Sequence, residues 1–180
     1  LRGQNNVQGA CDMGALFNTL PGYGGLENDE LFDRYEKLWG IKLPRRPGKP
    51  ATEVWDNVFK GHIRGLYIFG EDPVVADANI AHVRKALEKA DFVVVQDIFL
   101  TDTAKMADVV LPAACYAEKD GTFTCTERRV QRIRKAVEPP GEAKPDWQII
   151  SLLSQRMGYP MHYNSASEIF DEICQLLPQY

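Results

Sequence analysis

Acidic and amide side chains follow two short apolar runs near the middle of the sequence. A carboxylate beside loop backbone can accept two hydrogen bonds from a guanine edge or a ribose, while loop N–H groups receive phosphate. Acids in such positions also commonly cap the helix that follows them. Residue types and spacing therefore leave ligand binding and capping both open. The side chains in question are Glu71, Asp72, Gln96 and Asp97.

A segment rich in Gly and Asn at the start of the sequence carries Arg2 and Gln4. The guanidinium fork of an arginine matches a small carboxylate and keeps its charge at every working pH. A lone arginine in such a segment is far more often a solvated surface side chain, so these residues by themselves support no catalytic role. Elsewhere no nucleophile–base pair or acid dyad stands out, and neither a GxGxxG nor a GxxxxGKS/T motif occurs.

Runs of apolar residues predict the elements that would position these side chains. The runs 65–69, 92–95 and 109–111 predict three strands, and the polar and helical segments between them are typical of βαβ crossovers. Asp77 and Asp146 are predicted to cap helices that pack on the sheet. We therefore expect an α/β fold, with a Rossmann-like, open, mostly parallel sheet flanked by helices and with extra helical segments. Ligands of such sheets gather beyond the carboxyl ends of the strands, where the acidic side chains lie.

Outside the predicted sheet, the pattern is a loop followed by helices and one extended pair. Residues 1–25 are rich in Gly and Asn and are predicted to be irregular backbone. A helix is predicted to begin after Asn28 as its N-cap and to end at Gly40. The segments 121–124 and 129–132 are predicted to be short extended pieces that pair with each other.

Composition excludes several classes of protein. A net charge of −4 gives no reason to expect nucleic acid, and no apolar run approaches the roughly 20 residues of a membrane span. The first residues contain neither the apolar core of a secretory signal nor an initiator Met, which indicates a cut inside a longer chain. The four cysteines are too far apart for a zinc or iron–sulfur site, so we expect no metal ligands here and reduced thiols in the cytoplasm.

One segment resembles a known family. Residues 2–14, RGQNNVQGACDMG, are similar without a break to a segment of formate dehydrogenase large (catalytic) subunits, in the molybdopterin oxidoreductase (dimethyl sulfoxide reductase) family. Further blocks follow in the family's order, and the chain is identified as a member on that ground. The blocks are 67–73, 95–99, 107–112, 146–150 and 157–161.

The resemblance implies a domain that grips one of two molybdopterin guanine dinucleotides holding molybdenum or tungsten. Arg2 is similar to the arginine that orients formate beside the metal, and Gln4 to a neighbouring pocket residue. Where relatives often carry Thr, this chain has Ala76, which removes one hydroxyl contact. The residues implied to contact the dinucleotide are Gly70, Glu71, Asp72, Gln96, Asp97 and Asp146.

The resemblance also implies a reaction and partners for a longer parent enzyme. That enzyme would oxidise formate reversibly to carbon dioxide and pass two electrons to iron–sulfur clusters. The cysteine or selenocysteine that ligates the metal and a 4Fe-4S cluster belong to a preceding segment, so this polypeptide is expected to bind part of the cofactor and to be inactive alone. Implied partners are formate, the remaining domains of the subunit and electron-transfer subunits, in the cytoplasm or attached to a membrane through those subunits.

The expected division of the chain follows from the same resemblance. An active-site loop segment at 1–25 precedes a helical insert at 26–63, a dinucleotide-binding α/β core at 64–137, and a linker with C-terminal helices at 138–180. Two alternatives stay open. One is the equivalent domain of a nitrate or arsenite enzyme, against which the block 2–14 argues. The other is a non-catalytic module that binds a nucleotide or a partner subunit.

Overall fold

The computed structural model describes residues 3–180, which form two compact units. The first unit combines the described residues up to Lys49 with Asp120–Arg134 and Tyr163–Tyr180, and the second combines Pro50–Lys119 with Lys135–His162. The strands are β1 (Thr19–Leu20), β2 (Gly24–Gly25), β3 (Gly65–Phe69), β4 (Phe92–Asp97), β5 (Val109–Pro112), β6 (Gly121–Thr124) and β7 (Val130–Ile133). The α-helices are α1 (Val7–Asp12), α2 (Asp29–Trp39), α3 (Ala51–Phe59), α4 (Pro73–Ala76), α5 (Ile80–Lys89), α6 (Asp146–Arg156) and α7 (Ala166–Leu176), and short 3-10 helices span Pro21–Tyr23, Ala104–Met106 and Tyr116–Glu118.

The second unit contains a parallel sheet in the order β3-β4-β5. In its register Tyr67 of β3 lies opposite Val94 of β4, and Val94 lies opposite Val109 of β5. The middle of the central strand, residues 93–95, is β-branched and apolar, which suits a strand with neighbours on both sides and cover on its faces. The three predicted strands and their parallel arrangement, and with them the α/β fold class, are confirmed.

The core of the second unit lies between this sheet and helices α4 and α5. Val93 and Val95 of β4 are buried in this core. Val83 and Leu87, four residues apart on one face of α5, belong to the same buried cluster. Val74 of α4 completes the cluster. Packing of this stripe against β-branched strand residues therefore holds the ends of the strands in place.

Two predicted helix caps are wrong. Asn79 caps α5, because its side chain accepts a hydrogen bond from the His82 N–H at 3.2 Å. The Asp77 carboxylate instead accepts from the Asn79 N–H at 2.8 Å and from the indole of Trp55 at 3.1 Å. Asp146 is the first residue of α6 and not its N-cap, and its carboxylate is bound by other side chains. Both acids have tertiary partners, which a local pattern does not reveal.

The loop predicted for residues 1–25 is also corrected, because α1 forms within it. Gly and Asn have low helix propensity, so sequence alone argues against a helix here. Asn6 precedes α1 with a left-handed backbone (φ 56°), and its side-chain oxygen accepts from the Thr124 N–H of β6 at 2.9 Å. Gly9 packs there without room for a Cβ, which would lie 2.2 Å from the Asn6 oxygen. A contact with a distant strand therefore stabilises this short helix.

Other predictions for the first unit are confirmed. The strands β6 and β7 pair in an antiparallel hairpin. Helix α2 begins after Asn28 and ends at Gly40, whose φ of 66° lies in the left-handed region that favours glycine. Fully buried Tyr35 of α2 packs with Leu176 and Leu177, and these side chains form the core of the unit. No helix in the described part of the chain is long and apolar enough to cross a membrane.

Replacing Asn28 by Ala is expected to lower the free energy of unfolding by about 1 kcal/mol. The Asn28 side chain accepts from the Leu31 N–H at 3.0 Å, and alanine leaves that N–H without its cap. Asn28→Ser is the matched control, since serine caps equally well and should change stability by only a few tenths of a kcal/mol. Urea unfolding followed by circular dichroism measures both. Equal stability of the two variants would show that the cap contributes nothing.

Candidate cofactor-binding site

A cleft of about 340 Å³ lies beyond the carboxyl ends of the parallel strands in the second unit. Gly70 follows β3, Gln96 and Asp97 end β4, and Ala113 follows β5, so all four reach this edge of the sheet. Lys119 and Asp146 approach the same cleft from outside the sheet. A crevice at this edge is where open α/β sheets bind ligands.

Gln96 organises the floor of the cleft through its amide. Gln96 is 1% exposed, so both the oxygen and the nitrogen of its side-chain amide need hydrogen-bond partners. The amide oxygen accepts from the Tyr67 hydroxyl, and the amide nitrogen donates to the Asp146 carboxylate at 2.8 Å. Burial, and then the nearby Asp146 charge, raise the pKa of Tyr67, so this phenol stays protonated and keeps donating.

Lys119 is the cation of the cleft, and sequence reasoning missed it. Its ammonium forms an ion pair with Asp146 and donates to the Ala114 carbonyl oxygen at 2.8 Å. The two charged side chains are 24% and 25% exposed, so the pair is partly shielded from water but still reachable from the cleft. The preceding Tyr116–Glu118 turn positions Lys119, and no spacing motif marks it in the sequence.

Asp97 presents a carboxylate at the rim. Its Oδ1 accepts from the Phe99 N–H at 3.0 Å, which fixes the side chain at the rim of the cleft. Beside it, Gly70 has a left-handed backbone (φ 60°), and its N–H donates to the Gln96 carbonyl at 2.9 Å. A Cβ on Gly70 would meet nothing within 4 Å, so conformation and not space favours glycine here.

The structure brings together four of the six predicted cofactor contacts, namely Gly70, Gln96, Asp97 and Asp146. Glu71 is exposed and does not line the cleft. The Asp72 Oδ1 accepts from both the N–H and the hydroxyl of buried Thr103, at 3.1 and 2.5 Å. Thr103 therefore turns Asp72 towards the protein interior, and the expectation that Glu71 and Asp72 converge with Asp97 on one cleft is not met.

Of the two predicted catalytic residues, the structure describes Gln4 alone. Arg2 lies outside the described residues. Gln4 is exposed in the first unit, where its carbonyl oxygen accepts from the Val7 N–H at 3.4 Å. Within residues 3–180, no group of three or more His, Cys, Asp or Glu side chains could hold a metal ion. The described residues therefore offer a polar cleft and no metal ligand set.

Comparison with known proteins defines the class. The family described as molybdopterin oxidoreductase matches residues 2–156, and the chain belongs to this family. The fold agrees: acetylene hydratase from Pelobacter acetylenicus superposes with a TM-score of 0.59 at 25% identity, over 77% of this chain and 20% of that enzyme.

Several relatives that match the whole chain are named as formate dehydrogenases. An F420-dependent formate dehydrogenase 2 subunit alpha of Methanococcus maripaludis is 59% identical over the whole chain, which covers 27% of that protein. The F420-dependent formate dehydrogenase subunit alpha of Methanocaldococcus jannaschii is 57% identical with the same coverage. Formate dehydrogenase H of Escherichia coli is 49% identical over the whole chain, which covers 25% of it. The chain thus spans about a quarter of the length of these relatives, and the family resemblance of its sequence blocks is confirmed.

Proposed function

We propose that this chain is part of the catalytic subunit of a molybdenum- or tungsten-dependent formate dehydrogenase, whose reaction is the reversible oxidation of formate to carbon dioxide. The cleft where Asp97, Lys119 and Asp146 meet carries the proposal for this part of the protein, because carboxylates and an ammonium are groups that can bind the base and the phosphates of a guanine dinucleotide. Identities of 49–59% to proteins named formate dehydrogenase support the substrate. The reverse direction, and tungsten in place of molybdenum, are part of the proposal.

The residues of the cleft fit the dinucleotide of the family's cofactor. The free Asp97 oxygen can accept from a guanine or ribose donor, and the loop backbone at Gly70 allows close approach. The Lys119 ammonium supplies positive charge for the phosphates, and its partner Asp146 fixes its position. When bound, the pterin–metal group supplies the two-electron chemistry, while this chain binds and orients it.

Three further roles complete the proposal. Arg2 holds the formate carboxylate through its guanidinium fork, and Gln4 lines the same pocket. The metal ligand and a 4Fe-4S cluster come from another segment of the subunit, and electron-transfer subunits in the cytoplasm receive the electrons. A purely nucleotide-binding module is the alternative, and it predicts binding by this chain with no formate turnover by any longer form.

Replacing Asp97 by Ala is expected to weaken binding of guanosine diphosphate to this chain by roughly tenfold, the effect of losing one charged hydrogen bond. In the full-length enzyme, the same change should lower the content of guanine dinucleotide released on acid treatment. Titration calorimetry measures the first effect, and nucleotide analysis measures the second.

Glu71→Ala is the matched control for Asp97→Ala. It removes one carboxylate of the same charge from an exposed position outside the cleft. We expect wild-type affinity and wild-type cofactor content from it. Full cofactor content in the Asp97→Ala enzyme would remove Asp97 from the site, and equal losses in both variants would show that only net charge matters.

A further inference from the structure

One face of the parallel sheet in the second unit carries exposed aromatic side chains. Tyr67 and Phe69 of β3 are 41% and 51% exposed, and Phe92, which starts β4, is 49% exposed. The register places these side chains on the same face as Val94 and Val109, and we call this the open face. None of the five side chains is charged. Parallel sheets are normally buried on both faces, so the described residues leave this face without its usual cover.

The opposite face of the sheet is covered by both crossover connections. Val93 and Val95 of β4 lie on that face and are buried. They share one cluster with Val83, from the connection between β3 and β4, and with Ala104, from the connection between β4 and β5. Crossovers between parallel strands are right-handed, so two that run in the same direction across a sheet lie on the same face. The strand order β3-β4-β5 therefore places its crossover segments on one face only.

The outer edge of β3 is open as well. The Gly70 N–H donates to the Gln96 carbonyl of β4 at 2.9 Å, so by alternation the N–H and C=O groups of Tyr67 and Phe69 point away from β4. No strand within residues 3–180 pairs with them there. Proteins usually protect such an edge with charged residues or proline, and β3 contains neither. An apolar edge and an apolar face therefore lie side by side.

We propose that another segment of the same subunit, outside these 180 residues, pairs with the edge of β3 and covers the open face. This segment contains a strand parallel to β3 and a crossover helix, and it runs across the sheet in the direction opposite to β3-β4-β5. A right-handed crossover in that direction lies on the open face, so one strand–helix unit satisfies both the edge and the face. The product is a doubly wound sheet that reverses direction at β3, beside the cleft residue Gly70.

The length of the relatives and the geometry of the edge favour this occupant over a second copy of the chain. The chain spans about a quarter of the related subunits, so most of a subunit of that length lies outside it. A second copy related by a two-fold axis pairs β3 with β3 antiparallel and adds no crossover helix to the open face. The inference rests on the chain being part of a longer subunit, as proposed above, and not on the substrate of that subunit.

Photo-crosslinking from Phe92 tests the cover of the open face. The full-length subunit carries p-benzoylphenylalanine in place of Phe92, which lies on the open face and does not line the cleft. Irradiation is expected to link it to a peptide of the same subunit from outside these 180 residues, in a product with the mass of one subunit. Mass spectrometry identifies that peptide. A product with the mass of two subunits, or no link beyond the 180 residues, overturns the proposal.

Phe59 provides the matched control for the crosslink. It is 43% exposed on α3, a helix that packs against α5 on the covered side of the sheet. The same photoreactive residue at Phe59 is expected not to link to the peptide found from Phe92. If both positions link to the same peptide, the contact is not specific to the open face and the proposal fails.

Amide hydrogen exchange tests the edge of β3 without any substitution. The Tyr67 and Phe69 amides are expected to exchange at least roughly tenfold more slowly in the full-length subunit than in this chain, both without nucleotide. The Gly70 amide already has a hydrogen bond to Gln96, so it is the internal control and should change much less. Equal slowing of all three amides contradicts the proposal. A full-length subunit that shows the Phe92 crosslink but oxidises no formate would refute the proposed reaction and leave this inference standing.

Discussion

Replacing Lys119 by Met is expected to lower the free energy of unfolding by about 2–3 kcal/mol and to weaken guanosine diphosphate binding by roughly a hundredfold. Losing one partner of a buried ion pair typically costs 3–5 kcal/mol, and the stability figure is smaller because each of these side chains is about a quarter exposed. The expected binding loss exceeds the tenfold loss expected for Asp97→Ala, because both the charge for the phosphates and the position of Asp146 are lost. Urea unfolding and titration calorimetry measure the two effects.

Lys105→Met is the matched control for Lys119→Met. Lys105 is 59% exposed and pairs with Asp102 on the surface, so its loss should change stability by less than about 1 kcal/mol and leave binding unchanged. Adding Asp146→Asn to Lys119→Met should recover part of the lost stability, because the unpaired charge is removed. Similar losses in both lysine variants would show that Lys119 acts only through net charge.

Replacing Arg2 by Ala in the full-length enzyme is expected to lower kcat/KM for formate by roughly ten- to a hundredfold, corresponding to ~1.5–3 kcal/mol. The expectation comes from the block 2–14 and from the fit of a guanidinium fork to a carboxylate. Arg2→Lys restores the charge without the fork, so it should recover only part of the rate. Steady-state kinetics at measured metal content provides the comparison.

Arg132→Ala is the control for Arg2→Ala, since it removes an exposed cation from the β6–β7 hairpin. We expect it to retain wild-type kinetics. If the Arg2→Ala enzyme keeps full metal and pterin content and unchanged formate turnover, Arg2 has no role in catalysis. A loss of cofactor in that variant would assign Arg2 to assembly of the site.

The parts of the fold that depend on local chemistry were predictable. The run 92–95 is apolar throughout and β-branched from Val93 on, which is typical of a central parallel strand, and it forms most of β4. Asn28 and Gly40 bracket α2 because an amide side chain can cap N–H groups and glycine tolerates a left-handed backbone. Gly70, Gln96 and Asp97 reach the cleft because Gly70 follows β3 and the other two are the last residues of β4.

The parts that depend on distant partners could not be predicted. In the cleft Lys119 pairs with Asp146, which lies 27 residues further along the chain. Asp72 looks like a ligand contact in sequence, yet Thr103, 31 residues away, takes its carboxylate. The Asn6 side chain accepts a hydrogen bond from Thr124, 118 residues further along the chain, so the residues around α1 do not by themselves predict this helix. In each case the hydrogen-bond partner of a polar side chain depends on how distant segments pack, and a pattern of neighbouring residues does not predict that packing.

The composition of the first unit from three separate stretches of chain has a consequence for its synthesis. Tyr35 emerges from the ribosome long before Leu176 and Leu177, the side chains that bury it. The second unit contains no residue after His162, so its parallel sheet can form while the apolar face of α2 is still unburied. During that interval, the nascent chain exposes the apolar face of the amphipathic helix α2. Chaperones that hold such helices would therefore meet α2 before the rest of the first unit is complete.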